Sequence, residues 1–534
     1  MSKRDASRSL IGGVLVLGAG NLLVKVIGLV FKIPLSRLLG DLGMGYFNTG
    51  YTVYSWLFLV GCTGFPVAVS MLVSEAVEGD EGESGARRVL FRSLLFLFGL
   101  GAVGCLFLSA FADRVASRIG NPGSAAAIAA IAPAVLFCSL SGGIRGYFQG
   151  KKRMGPTAVS QLTEAAFKLI LGIVFAKRAL LRGFALPAVA AAAIRGVTVG
   201  TLASTVYLFL ELFFDARKAP NKYKGRKEGS SLSLSRRLIR IALPVTVSAT
   251  VMSVTGLIDL LFLMKRLVVS GYGVEEATAL FGNYTTLAVP FFNLPGILIS
   301  PIATGIVPFV SGDLSRGDEK RAGERCRAAI RSAVVLSFPA ALALGLFGER
   351  ILSLFFLRSS AALAAPSLAV LSPGIVFLSL VTVSSAILQA RGRAGVTVYS
   401  MLIGAIVKTV VGYILLGLPG VGVYGAAIGT VLCYAVVAVI NLTVLAVMGA
   451  RPCGLSDLTR PILPSALSFA LAFLLLPILP DRTSVFATLF LLALAGLLYF
   501  PLSVLFGSVT RNDAEMIPFL KKMLARFRSP ERAK

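Results

Sequence analysis

The chain has 534 residues, of which 56% are hydrophobic and only 14% charged. An ordinary soluble domain is about 25% charged, so this composition excludes a soluble globular protein. The net charge of +27 does not indicate nucleic-acid binding, because the cations lie between apolar runs, where the positive-inside bias of membrane proteins accounts for them. There is no histidine, which removes histidine-ligated metals, general bases and proton relays.

Apolar runs of membrane-spanning length recur along the whole chain, without the alternating segments of about 10 residues that a β-barrel requires. They predict an all-α polytopic membrane protein of about 14 helices. In chain order the predicted spans are 10–33, 46–73, 90–112, 124–148, 157–176, 186–211, 237–263, 283–310, 328–348, 363–388, 396–416, 422–448, 460–479 and 484–508. The first run is too long for the apolar core of a signal peptide and is expected to remain as an uncleaved span. With the N-terminus inside, the inner segments and the span ends that border them hold 36 Lys and Arg, the outer loops and their bordering span ends 12, and the other four of the 52 lie deeper within spans. Both termini are therefore expected on the cytoplasmic side. The six cysteines form no CxxC pair and read as small apolar packing residues.

The first span carries Asn21, Lys25, Gly28 and Lys32 at spacings of four, three and four, which is one helical face. A lysine at such depth costs about 2.5–3.5 kcal/mol on insertion scales unless it faces protein or water, so the stripe predicts a cavity wall. Pro34 follows and suits a bend or an end of the helix. The second span has a milder break at Gly64 and Pro66. The acidic stretch EAVEGDEGE, residues 75–83, is the one dense carboxylate patch and reads as a solvated loop, not the acid/base centre of an enzyme.

The fifth span repeats the polar stripe with Thr157, Gln161, Glu164 and Lys168. Glu164 and Lys168 are an i,i+4 pair, which can be a structural staple or part of a site. Arg195, about nine residues into the sixth span, lines a cavity or snorkels outward. Residues 215–236 form a basic, breaker-rich linker. Asp259 on the seventh span could bind a coupling cation or pair with a lysine. The eighth span contains Pro290, Pro295, Pro301 and Pro308 and is expected to be broken, as helices at transporter cavities are.

The chain repeats itself. At an offset of 240, QGKKRMGPTAVSQLTEAAFKLILG (149–172) overlays QARGRAGVTVYSMLIGAIVKTVVG (389–412), so that Lys168 meets Lys408 and Glu164 meets Gly404. Arg92-Ser93 meets Arg331-Ser332, and Tyr51-Thr52 meets Tyr284-Thr285, at slightly smaller offsets. Two six-helix lobes follow, related by a parallel pseudo-two-fold: residues 1–214 and 237–450, with 451–534 supplying two further spans and a basic tail. Lys408 lacks the carboxylate that Lys168 has, which makes it a candidate for a free cavity cation. Cations outnumber anions within the spans, and such an interior suits an anionic substrate.

These residues also carry a resemblance. KIPLSRLLGDLGMGYFNTGYTVYSWL, RGYFQGKKRMGPTAVSQLTEAAFKL, IDLLFLMKRL and EEATALFGNYTTLAVPFFNLPGILISPIATGIVPFVS resemble the SpoVB-like branch of polysaccharide-transport proteins. That branch is similar to the MurJ-type lipid II flippases of the multidrug/oligosaccharidyl-lipid/polysaccharide exporter superfamily. The resemblance covers about the first twelve spans. It implies two lobes around a cationic cavity and translocation of undecaprenyl-diphosphate-linked sugars in the bacterial cytoplasmic membrane, by a transporter and not an enzyme. Lys25 and Arg37 match basic positions of the relatives' first helix, and Lys32 adjoins a third. The relatives' arginine in the eighth helix has no counterpart in GNYTTLAVP. A lipid-linked oligosaccharide, chiefly lipid II, and membrane lipids are the expected partners of a monomeric protein. No cofactor is expected, and a coupling ion or the membrane potential would supply the energy.

Overall fold

The computed structural model describes residues 3–59, 64–79, 82–218, 231–449, 454–475, 477 and 484–508. The basic linker between 219 and 230 and the basic tail beyond 508 lie outside these residues. Every regular element described is a helix. Among the described residues, ten helices are long and apolar enough to cross a membrane, or eleven if the bent pair Arg358–Leu371 and Gly374–Ala390 (53°) is one span. The protein is an all-α multi-pass membrane protein. The fourteen predicted spans do not all correspond to uninterrupted helices, because several are broken.

The chain divides into two compact units, residues 1–286 and 287–534. The first unit begins with α1 (Lys3–Leu59), α2 (Phe65–Glu78), α3 (Gly82–Ile119) and α4 (Ala125–Gly150). It continues with α5 (Gly155–Leu181), α6 (Leu186–Lys218), α7 (Ser231–Val269) and α8 (Val274–Asn283). The first two predicted spans share α1, which passes through Pro34 without a break and turns at Gly40 (φ 61°, ψ −176°). The expected bend at Pro34 is thus displaced by six residues to a glycine, which reaches positive φ without the steric penalty a side chain would incur.

Gly64 precedes α2 at a place where only glycine fits. A Cβ there would lie 1.9 Å from Thr246 Oγ1 and 2.5 Å from the Ala242 carbonyl of α7. Around this approach Phe65, Leu72, Leu97, Tyr147, Leu208 and Leu238 bury a core shared by α2, α3, α4, α6 and α7. Cys138 on α4 is disulfide-bonded, contrary to the packing role expected of the cysteines; Cys105, Cys326 and Cys433 are in no disulfide.

The second unit follows a π-helical turn, Tyr284–Ala288, that spans the boundary. It holds α9 (Val289–Asn293), α10 (Gly296–Ser315), α11 (Glu319–Leu346), α12 (Gly348–Ser353), α13 (Arg358–Leu371) and α14 (Gly374–Ala390). Then come α15 (Ala394–Leu416), α16 (Tyr424–Val447), α17 (Leu455–Thr459), α18 (Ile462–Leu475) and α19 (Val485–Leu505). The predicted span 283–310 is broken as its prolines foretell. Pro290 sits in the first turn of α9, Pro295 caps α10, and Pro301 lies inside α10. Phe347, Phe469, Leu491 and Ala495 dock the C-terminal helices α18 and α19 on the end of α11.

Candidate functional site

The first unit encloses a cavity of about 290 Å³ between α1, α4 and α5. The arm of α1 before Gly40 lends Val24, Ile27, Gly28 and Phe31, and the arm after it lends Tyr51, Tyr54 and Ser55. Arg145 comes from α4, and Gln161, Glu164, Ala165 and Lys168 come from α5. The fifth-span stripe therefore faces a cavity along three of its four members. The fourth, Thr157, is buried.

The charges inside are arranged differently from an i,i+4 staple. Glu164 turns to Arg145, with an Oε2 to Nη2 distance of 3.0 Å. The same guanidinium donates to Ser160 Oγ (2.9 Å) and Ser204 Oγ (2.9 Å), which ties α4, α5 and α6 together. Arg145 is only 6% exposed, and so many charge-assisted bonds are what a guanidinium at that depth needs. Lys168 turns to Tyr51, donating to its hydroxyl at 3.0 Å. Its ammonium lies 4.4 Å from the Tyr51 ring centroid and 5.3 Å from that of Phe31. A ring face attracts a cation by its quadrupole, the more so when water is excluded. Phe31, Phe47, Tyr51 and Tyr54 follow one another at centroid spacings of 5.8–6.0 Å, so the two arms of α1 present one aromatic wall. Gln161 Oε1 is buried without a hydrogen-bond partner. With Arg145 and Glu164 compensating each other, Lys168 leaves the cavity with one net positive charge.

Arg145 was not among the sequence candidates. It sits five residues from the end of α4 and groups naturally with the basic turn that follows. The signal available was the absence of a partner for Glu164 in the other half of the repeat, where Gly404 stands. Tyr51, Tyr54 and Ser55 were also missed, although their spacing of three and four marks one helical face.

The remaining candidates are dispersed. Asn21, Lys25 and Arg37 are exposed on α1, and Arg195 is exposed on α6. Asp259 on α7 is half-buried. Lys408 is 4% exposed on α15 and is not without a partner, so it is not the free cavity cation the repeat suggested. Lys32 donates to the Thr285 carbonyl at 3.0 Å, in the π-helical turn after α8. Lys32 of α1 thus reaches the start of the predicted eighth span. Beside it Asn48 donates to Thr285 Oγ1 (2.9 Å) and Thr286 Oγ1 (2.7 Å), and Asn283 to Asp41 Oδ1 (3.1 Å). A Cβ on Gly282 would lie 2.3 Å from the Gly45 nitrogen, so α1 and α8 meet backbone to backbone.

The acidic stretch is not merely solvated. Glu75 pairs with Arg237 of α7 (2.7 Å), Glu78 with Lys152 (2.7 Å) and Glu83 with Lys151 (2.6 Å). Lys151 also pairs with Asp215 of α6 at 2.7 Å. The α4–α5 turn is therefore clasped by the ends of α2, α3 and α6.

A profile of the family described as "Polysaccharide biosynthesis protein" matches residues 10–312, more than half of the chain. A second profile, MatE, matches residues 257–414. Stage V sporulation protein B of Bacillus subtilis (strain 168) is 25% identical over 428 residues, covering 80% of this chain and 81% of that protein. Lipid II flippase MurJ of the same organism is 26% identical over 447 residues, with the same coverage of 80% and 81%. A solved structure of lipid II flippase MurJ in an inward closed conformation superposes with a TM-score of 0.72 at 14% identity, covering 92% of this chain and 98% of that one. The chain belongs to the polysaccharide biosynthesis protein family, as a SpoVB-like member with the MurJ-type fold.

Proposed function

We propose that the chain is an alternating-access flippase that carries an undecaprenyl-diphosphate-linked glycan from the inner to the outer leaflet of the bacterial cytoplasmic membrane, with both termini cytoplasmic. Lipid II is the substrate this reading favours. The observation that carries it is the Lys168 ammonium, held in a largely apolar and aromatic cavity whose lining charges, Arg145, Glu164 and Lys168, sum to one positive charge. A partly buried cation of this kind attracts the diphosphate or a peptide carboxylate of such a substrate. In this reading Lys25 and Asn21, exposed on α1, meet the headgroup first, and Lys168 receives an anionic group from them. The polyprenyl chain stays in lipid along predicted spans 13 and 14. No bond is made or broken and no cofactor enters. The membrane potential, worth about 2.3 kcal/mol per charge per 100 mV, suffices to bias movement of a bound anion.

The test is the accessibility of lipid II on the outer face of cells that depend on this chain as their flippase. Lys168→Gln and Lys25→Ala are each expected to lower flipping at least about tenfold, the effect of about 1.4 kcal/mol. Undiminished flipping in both variants overturns the cationic site. A second reading rests on the near-equal identity to stage V sporulation protein B and to MurJ, 25% and 26%. In it the cargo is another polyprenyl-linked glycan. Failure to sustain cells depleted of their lipid II flippase, with folded protein present in the membrane, would favour this alternative.

A further inference from the structure

The second unit holds an apolar groove of about 590 Å³ between α11, α13, α14 and the start of α18. Val334, Phe338, Leu342, Phe377, Leu458 and Ile462 are among its walls. Its length along α11, from Val334 to Leu346, is twelve residues, or about 18 Å. At the end marked by Val334 and Leu458 stands Asp457, 1% exposed, facing three arginines. Arg327 Nε lies 2.7 Å from its Oδ2, and Arg331 and Arg460 each bring a nitrogen to 3.9 Å from Oδ1. The Gly454 amide also donates to it (3.2 Å), which fixes the carboxylate in place. Asp457 is thus shared among three guanidiniums. The side chains of Arg327 and Arg460 are each 49% exposed. Arg331 precedes Val334 by one helical turn, and Arg460 adjoins Thr459 of the groove wall. A charged mouth thus opens onto an apolar trough.

We infer that this groove seats one anionic phospholipid of the surrounding bilayer, its phosphate on Arg327 and Arg460 and one acyl chain along α11. The guanidinium fork matches phosphate oxygens in pairs, which a lysine would not do. The groove's length argues for an acyl chain. Half of a hydrocarbon core of about 30 Å is about 15 Å, the depth of one leaflet, and an eleven-unit polyprenyl chain would overrun it. The seated lipid would bind α17 and α18 to α11 beyond the contacts these helices make themselves. This site lies in the second unit and does not depend on what the first-unit cavity carries.

The experiment uses the full chain in a non-ionic detergent, with lipid adducts counted by native mass spectrometry and the melting midpoint read beside them. Phosphatidylglycerol is expected to be retained and to raise the midpoint more than phosphatidylcholine. Arg327→Gln/Arg460→Gln is expected to reduce that preference at least about tenfold. Leu342→Trp, which fills the trough and leaves the arginines, is expected to weaken phosphatidylglycerol to the level of glycerol 3-phosphate. Equal binding of the two phospholipids by the wild-type chain overturns the inference, with no variant needed. So does an unchanged preference in the double variant, or glycerol 3-phosphate competing as well as the whole lipid. Displacement of phosphatidylglycerol by a lower concentration of a polyprenyl monophosphate would assign the groove to the carrier lipid instead.

Discussion

The same three-helix junction is built twice in this chain, once with charge and once without. In the first unit α4, α5 and α6 meet at Arg145, which bonds Ser160, Glu164 and Ser204. In the second unit α14, α15 and α16 meet at Asn441, which donates to Ser384 and Ser385 (3.2 Å each) and accepts from Ser400 (2.8 Å). Ser160 and Ser400 are repeat mates and both are fully buried. At the offset of 240, Ser385 stands opposite Arg145 and Gly404 opposite Glu164. The close approach has also changed sides. In the first unit it is at Gly200 of α6, where a Cβ would lie 2.8 Å from the Glu164 carbonyl; in the second it is at Gly404 of α15, where a Cβ would lie 2.5 Å from Val437. The second unit has used the space of the carboxylate for packing. Packing alone therefore does not require the Arg145–Glu164 pair, since its mate does without one.

The comparison breaks most visibly at Arg145. Arg145→Met leaves Glu164, with 19% of its side chain exposed, as a carboxylate without its cation. Breaking a buried pair in this way costs about 3–5 kcal/mol. The melting midpoint of the purified protein should fall sharply, and Arg145→Met/Glu164→Leu should recover much of the loss. A midpoint unchanged in the single variant would mean the pair is not the clasp of this junction.

Lys168 is the next step down. Its hydrogen bond to Tyr51 and its two ring contacts are neighbourly but not an ion pair, so Lys168→Met is expected to lower stability by at most about 2 kcal/mol. The loss should be halved or more by a prior Tyr51→Phe, because the two side chains share their contact. A loss as large as that of Arg145→Met would place Lys168 in the scaffold, and not among groups available to an anion.

The neutral junction should be the more tolerant. Asn441→Ala removes three hydrogen bonds, but Ser384 and Ser400 also donate to carbonyls of their own helices at 3.3 and 3.1 Å. Their hydroxyls need not be stranded, and a cost of about 1–2 kcal/mol is expected, smaller than at Arg145. Equal losses at the two junctions would dissolve the distinction.

What the sequence disclosed follows from where the physics is local. Helices and their breaks around Pro290 and Pro295 are periodic or compositional and could be read directly. The polar stripe on α5 could be read too, as one face of one helix. Its partners could not, because Glu164 finds Arg145 nineteen positions away and Lys168 finds Tyr51 on another helix. The self-pairing that Glu164 and Lys168 offer in sequence is outcompeted by groups only tertiary packing brings near. Gly40 was overlooked for Pro34 for a related reason. Proline announces a bend by what it cannot do, whereas glycine bends only where neighbours make it, and nothing in the residues around Gly40 specifies that.

The smallest expected effect concerns the turn that closes each junction. Lys152 and Gly392 are repeat mates, and both have positive φ, 60° and 73°. Glycine occupies that region without penalty; a lysine pays about 1–2 kcal/mol there. The clasp on the turn offers a reason to keep it, since Lys152 reaches Glu78 at 2.7 Å while Lys151 reaches Glu83 and Asp215. The Lys152–Glu78 pair itself is well exposed, so it offsets little of the strain. Lys152→Gly would relieve the backbone but loosen the unfolded chain by about 0.4–1 kcal/mol. The two changes nearly cancel, and the melting midpoint should move by less than the resolution that separates the other variants. Salt should reveal the difference instead. The wild-type turn is held by charges, and its protection from protease in the 151–153 segment should weaken as salt rises from low to physiological strength; with glycine at 152 that dependence should shrink. An equal salt dependence in both would show that Lys151 and Arg153 hold the turn alone, and that the strained lysine in this half of the repeat serves no clasp at all.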